Sequence, residues 1–374
     1  MDQNLTTNTP TPNLTGDNSA RDNSTTPTTA DALYDSPFMR ACRRESVPHT
    51  PVWLMRQAGR YMPEYREVRA RTTFLELCKT PDLASEVTVY AAERLGVDAA
   101  IIFADILLIL EPLGLDLEFA RGEGPVIHNP VRAAADVDRL RELESVESLD
   151  YVMQAIRTTR RALKPDLPLI GFAGAPFTLA SYIIEGGSSR NFVHTKRLMH
   201  ADSGAWHALM SLIARALPLY LNAQIAAGAQ AVQLFDSWVG CLSPEDYREF
   251  VLPHTLQSIR NISPGTPVIH FGTGTATLLE LMREAGGDVI GLDWRIPLDE
   301  GWRRIGYERA VQGNFDQILL FTSPLIIRQH VGRILQQAAG RPGHIFNLGH
   351  GILPETPVDN VIALVEAVHE MSGS

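Results

Sequence analysis

The chain has 374 residues, 45% of them hydrophobic, and a formal net charge of −10. This balance excludes a disordered chain and argues against nucleic acid as a partner. Three scattered cysteines (Cys42, Cys78, Cys241) exclude a disulfide framework and a cysteine-rich zinc site, and no apolar run approaches the ~20 residues of a membrane span, so the expected setting is a reducing cytoplasm.

Residues 1–32 are Thr, Asn, Pro, Asp and Ser with hardly an apolar side chain. Such a segment cannot offset its ordering entropy by burial and is expected to be a disordered tail, with the folded domain running from 33 to 374. It lacks the apolar core of a secretory signal, and its acids (Asp2, Asp17, Asp22 against Arg21) do not suit a transit peptide. Arginines then crowd together: eight lie between Arg40 and Arg71, against Glu45, Glu64 and Glu67. A local excess of positive charge in an acidic protein is a candidate anion site, although arginine is also favoured throughout, with only Lys79, Lys164 and Lys196 as lysines.

Short apolar runs bounded by Gly, Pro or Asp predict strands at 52–55, 99–104, 169–173, 231–235, 267–271, 288–292, 310–313 and 344–348. Apolar side chains at three- and four-residue steps predict helices over 83–95 and 206–227; further helices are expected at 324–339, after Ser323-Pro324, and at 357–371. Strands alternating with helices suggest a single (β/α)8 TIM barrel, with extra helices in the long excursion 111–166 between the second and third strands. A doubly wound open sheet would give the same alternation.

Active sites of parallel barrels lie at the carboxyl ends of the strands. Those positions hold Arg56, Gln57, Gly59 and Arg60; then Asp105; Gly174-Ala175-Pro176-Phe177, with Tyr182 beyond; Asp236 and Ser237; Gly272 and Gly274; Asp293; Asn314; and Gly349, His350 and Gly351. Arg56 and Arg60 flank a glycine that lets a ligand approach the backbone, and guanidinium forks match carboxylates in pairs. Their alternative use is surface pairing with Glu64, Glu67 or Glu76. Asp105 lies between AAIIFA and ILLIL, where a carboxylate is costly unless paired; a helix cap is the bland alternative, and for His350 a turn. Gly272-x-Gly274 followed by Asp293 imitates a dinucleotide fingerprint, but Thr277 stands at the third glycine position.

PVWLMRQAGRYMPEYREVR (51–69) and GFAGAPFTLASYIIEG (171–186) resemble the two signatures of the uroporphyrinogen decarboxylase family. FADIL around Asp105, LFDSWVG around Ser237 and NLGHGILP around His350 agree in type and order, so the resemblance runs from about Ser36 to the end. It implies a (β/α)8 barrel acting as a homodimer, with no metal and no prosthetic group. The implied reaction turns the four acetates of uroporphyrinogen III into methyls, giving coproporphyrinogen III and CO2. Carried over residue by residue, the implied substrate contacts are Arg56, Gln57, Ala58, Gly59, Arg60, Asp105, Tyr182, Ser237 and His350, with Arg69 supporting the arginine cluster. The implied catalytic groups are Asp105, Arg56, Tyr182 and His350. Asp236 stands where some members carry Glu.

Two rivals compete. A cobamide-dependent methyltransferase of similar fold would need a His-x-Cys zinc element and a later cysteine; here Gly272 follows His270 and no cysteine follows Cys241. A non-catalytic barrel would have no use for the arginine pair, Asp105 and His350 together.

Overall fold

A computed structural model of the protein describes residues 28–120 and 124–373. The expected tail therefore lies, over 1–27, outside the described residues. Its boundary at 32 falls inside a helix, Thr29–Tyr34, because Thr28 and Asp31 form a reciprocal capping box.

Among the described residues nine strands occur: β1 (Ala100–Ile101), β2 (Leu117–Ala120), β3 (Gly124–Ile127), β4 (Leu169–Gly174), β5 (Ala231–Asp236), β6 (Val268–Gly272), β7 (Val289–Gly291), β8 (Ala310–Gln312) and β9 (His344–Ile345). Seven form one parallel sheet in the order β1-β4-β5-β6-β7-β8-β9. Each step is to the next strand of that sheet along the chain, with helices between, so all carboxyl ends face the same way.

Two expectations are corrected and a third, the extra helices of 111–166, is extended. Instead of a strand over 52–55, only Val52 pairs, in an isolated parallel bridge to Phe346. The reason is competition from side chains: the N–H groups of Val52, Leu54 and Met55 donate to Asp98 Oδ2 (2.8 Å), Gln57 Oε1 (3.2 Å) and Asn347 Oδ1 (3.1 Å). The second strand stops at Ile101 because the Thr88 hydroxyl captures the N–H of Phe103 at 2.9 Å. The excursion 111–166 holds an antiparallel hairpin, β2–β3, as well as the helices Ala134–Val137 and Asp150–Ala162.

The helices follow their sequence signals. Pro81–Leu95 starts with proline at its first turn and ends at Gly96, whose φ of 67° is the left-handed cap that glycine adopts without strain. Ser203–Ala227 is apolar and long enough to cross a bilayer by length and composition, but Trp206, Leu209, Met210, Ile213 and Leu217 are fully buried inside the protein. Pro176–Glu185 follows β4 at once. Its tight approach to the strand needs Gly174, where a Cβ would meet Leu179 Cδ2 at 2.7 Å.

Inside the sheet, Trp53 is fully buried and its Nε1–H donates to Gln312 Oε1 (2.9 Å); Gln312 Nε2 in turn donates to Gln233 Oε1 (3.0 Å). This chain ties the 51–55 segment to β8 and β5. Trp53→Phe should leave the Gln312 oxygen buried without a donor and lower stability by ~1–3 kcal/mol. An unchanged denaturant midpoint would contradict that account.

Candidate active site

A cavity of about 700 Å³ opens at the carboxyl ends of the strands. The structure brings together on its walls all ten residues singled out above: Arg56, Gln57, Ala58, Gly59, Arg60, Arg69, Asp105, Tyr182, Ser237 and His350. A shallower extension of about 480 Å³ shares Arg60 and Arg69 and adds Arg66. Gly174, Phe177, Asp236, Gly272, Gly274, Asp293 and Asn314 do not line it.

The 55–60 turn is held from within. Buried Gln57 accepts from Leu54 N–H and donates to Ala99 O (3.3 Å), while the Tyr61 hydroxyl donates to Gln57 O (2.7 Å). Gln57 thus supports the turn with its side chain. The N–H groups of Ala58, Gly59 and Arg60 donate to no protein group among the described residues. Arg56 adopts φ 63°, unusual for a residue with a side chain. Its stem lies against Gly351, where a Cβ would sit 2.5 Å from Arg56 Cδ, so the glycine after His350 makes room for the guanidinium.

Neither Arg56 nor Arg60 has a carboxylate within ion-pair distance among the described residues, so the surface-pairing alternative does not hold. Glu76 caps Thr73 instead, and Glu64 hydrogen-bonds Tyr90. Arg69 donates to Thr72 O and lies over the Phe74 ring, 6.0 Å from its centroid.

Among the described residues Asp105 is the one carboxylate on the wall. Its Oδ1 accepts Leu107 N–H at 2.9 Å in a turn that precedes the short helix Leu108–Leu110; the N-cap of that helix is Leu107, so Asp105 is not a helix cap. Its Oδ2 accepts from no protein group among the described residues. Burial pushes its pKa up to about 6, with the Leu107 N–H and then Arg56 pulling the other way. Tyr182 stacks on Trp238 with ring centroids 3.8 Å apart, and burial, then the charge of Asp105, push its phenol upward so that it keeps its proton. Burial and then the nearby Arg56 lower His350, favouring a neutral imidazole. Ser237 lends its backbone oxygen to Thr273 and leaves its hydroxyl at the cavity.

The sequence reading missed the apolar half of the site. Phe172, Phe235 and Phe271, from β4, β5 and β6, form its floor in edge-to-face contact at 5.5 and 6.0 Å. Phe74 and Phe119, 4.7 Å apart, form a wall to which the unexpected hairpin contributes. The signal was the two-residue alternation of each strand, which places Gln233 and Phe235 on one face.

The dinucleotide lookalike is accounted for by structure. Asp293 accepts from Gly274 N–H, Arg295 N–H and the Arg295 guanidinium, which leaves it no role for a ribose. His270 is fully buried and away from the cavity. The free thiols lie elsewhere, and among the described residues the cavity gathers no trio of metal-ligating side chains.

The raised pKa of Asp105 has a stability consequence. Its folded value of about 6 exceeds the ordinary 3.8, so its contribution is complete below pH ~4 and is lost as pH rises through 6. Asp105→Asn, which can still accept from Leu107, should stabilise the protein at pH 7.5 by up to roughly 3 kcal/mol. That gain should vanish near pH 4 in thermal melts; a variant less stable at both pH values would refute it.

The family model described as "Uroporphyrinogen decarboxylase (URO-D)" matches residues 33–371. The uroporphyrinogen decarboxylase of Carboxydothermus hydrogenoformans is 59% identical over 336 residues, 90% of this chain and 96% of that protein. That of Sorangium cellulosum is 59% identical over 335 residues, 89% and 96% of the two. Among solved structures, a methyltransferase from Methanosarcina mazei is similar with a TM-score of 0.73 at 21% identity, over 89% of this chain and 97% of that one. A putative vitamin-B12 independent methionine synthase from Listeria monocytogenes gives 0.55 at 14% identity, over 87% and 97%. At such identities the two structures share the fold alone. The sequence relatives match nearly end to end, and on that ground the chain belongs to the uroporphyrinogen decarboxylase family.

Proposed function

We propose that this protein removes the four acetate carboxyls of uroporphyrinogen III, giving coproporphyrinogen III and CO2, with no cofactor. One observation carries the reading: a half-buried carboxylate, Asp105, the single one on the wall among the described residues, faces a cavity with a phenylalanine floor and the arginines 56, 60 and 69 on its walls. An apolar macrocycle fringed by carboxylates is complementary to that division. Ring faces meet Phe172, Phe235 and Phe271, and acetates and propionates meet Arg56, Arg60, His350 and the open N–H groups of residues 58–60.

Each decarboxylation needs a sink for the electron pair of the breaking C–C bond. A proton added to a pyrrole ring carbon makes the ring cationic. The C–CO2 bond then breaks, its electrons neutralise the ring, and CO2 leaves. Protonation of the exocyclic carbon and loss of the ring proton complete a methyl group, with one proton consumed per CO2. Asp105 Oδ2 accepts from pyrrole N–H groups and stabilises the cation in a site where water cannot screen it. The proton passes from Tyr182, His350, Arg56 or a bound water, with Ser237 contacting the substrate and Arg69 holding the arginine cluster. The protein functions as a homodimer in the cytoplasm; the exposed Ile318, Phe321, Leu325 and Ile326 support an interface. The sheet is read as a closed (β/α)8 barrel, supported by Val52, which bridges Phe346 on one side and accepts from Asp98 N–H (2.8 Å) on the other.

Incubation with uroporphyrinogen III under reducing conditions should yield coproporphyrinogen III by chromatography; unaltered substrate would overturn the assignment. Asp105→Asn should fold and lose at least a hundredfold in kcat, about 2.7 kcal/mol, and full activity would remove the charge argument. Arg60→Ala should raise KM more than it lowers kcat. Initial rates at low substrate should fall as salt rises, since a polyanion reaches this acidic protein through its arginines.

A further inference from the structure

We propose that His49, Asp98 and His369 form a binding site for one Zn²⁺ ion at the end of the sheet opposite the cavity. Asp98 lies just before β1 and Asp105 just beyond it, so the two carboxylates mark opposite ends of one strand. His49 Nε2 is 2.8 Å from Asp98 Oδ1, and His369 Nε2 is 2.8 Å from Asp98 Oδ2. The two imidazoles meet edge to face, 4.7 Å between centroids. All three ligand atoms lie within 4.8 Å of one another.

Two imidazole nitrogens and one carboxylate oxygen are a donor set suited to Zn²⁺, which needs ligand atoms roughly 3.4 Å apart around bonds of ~2.0–2.1 Å. The present separations, 2.8 Å from each Nε2 to a carboxylate oxygen and up to 4.8 Å across the trio, lie on either side of that spacing. No Nδ1 contact within the protein opposes a tautomer change among the described residues, so each ring can move its proton from Nε2 to Nδ1 and free Nε2 for the metal. Side-chain exposures of 27% for His49, 12% for Asp98 and 32% for His369 leave a solvent path to the ion and space for a water as fourth ligand.

The surroundings fix the ligands, as a built site requires. Val52 N–H donates to Asp98 Oδ2 at 2.8 Å and orients the carboxylate. Beside His369, Ser372 Oγ accepts Thr50 N–H (2.9 Å) and donates to Val368 O (2.6 Å), pinning the end of the last helix, Val358–Ser372, against the segment that carries His49. The ion would link the chain's first folded segments, the lead into β1 and the last helix. Its role is stability, since the cavity lies beyond the other end of the strand.

The test is calorimetric titration of the chelator-stripped full-length protein with Zn²⁺. One equivalent per chain is expected, with a rise in Tm. The double variant His49→Gln/His369→Gln keeps amide donors for Asp98 and should bind at least a hundredfold more weakly, with unchanged decarboxylation. Co²⁺ should give the intense visible bands of a low-coordinate site on the wild type, a readout independent of how the variant folds. No uptake at tens of micromolar, no such bands, or a double variant that binds as tightly as the wild type would each overturn the site. Any of these would leave a hydrogen-bonded clamp and would not touch the decarboxylase reading, which rests on the other end of the molecule.

Discussion

A half-buried carboxylate with only one hydrogen bond from the protein is the constraint on which the site depends. Asp105 gives one oxygen to the Leu107 N–H and leaves the other facing the cavity. A charge in that position is costly by itself, and the protein does not neutralise it with a direct ion pair. Arg56 is close enough to be felt but not close enough to bond. The result is a negative site waiting for a positive partner, and a heterocycle that becomes cationic only during reaction fits that requirement better than any ground-state ligand does.

Keeping Arg56 near Asp105 without a salt bridge demands a rigid turn. Gln57 and Tyr61 clamp the backbone, Gly351 supplies the space beneath the arginine, and Arg56 accepts a left-handed conformation. Such backbone strain persists only where the surroundings over-determine it. The same clamp leaves the N–H groups of residues 58–60 pointing away from protein acceptors, ready for a carboxylate. Positive groups on one side and aromatic faces on the other are therefore set before substrate arrives, which is the condition for electrostatic stabilisation without reorganisation.

Much of this was legible in the sequence, and the two strand failures share one cause. Strands such as β4, β5 and β6 read correctly because runs of Val, Ile and Phe between glycines leave few alternatives. Residues 52–55 look equally strand-like, but their N–H groups are claimed by Asp98 and Asn347, which lie far away along the chain. The Phe103 N–H is likewise taken by Thr88 on a helix. Charged and polar site residues stood out because they interrupt apolar runs. Phe172, Phe235 and Phe271 did not, since a phenylalanine in a strand looks the same whether it faces a core or a cavity. The hairpin that supplies Phe119 did carry a signal, since Leu115, Leu117 and Phe119 alternate with Asp116 and Glu118, but the run is short and lies inside a long excursion that reads as helical.

Asp98 and Asp105 isolate the physics best, because they share a residue type and sit at the two ends of one short strand. Burial raises both pKa values. At Asp98 the hydrogen bonds of His369 and His49, with the Val52 N–H, outweigh it, and the carboxyl ends below its ordinary value. At Asp105 the lone Leu107 N–H cannot, and the carboxyl ends above it. The number of donors supplied by the neighbouring segments thus decides which end is finished and which is left open. Donors at Asp98 come from three separate parts of the chain, as a structural clamp needs. The single donor at Asp105 comes from two residues away, which leaves its second oxygen to be satisfied by whatever enters the cavity.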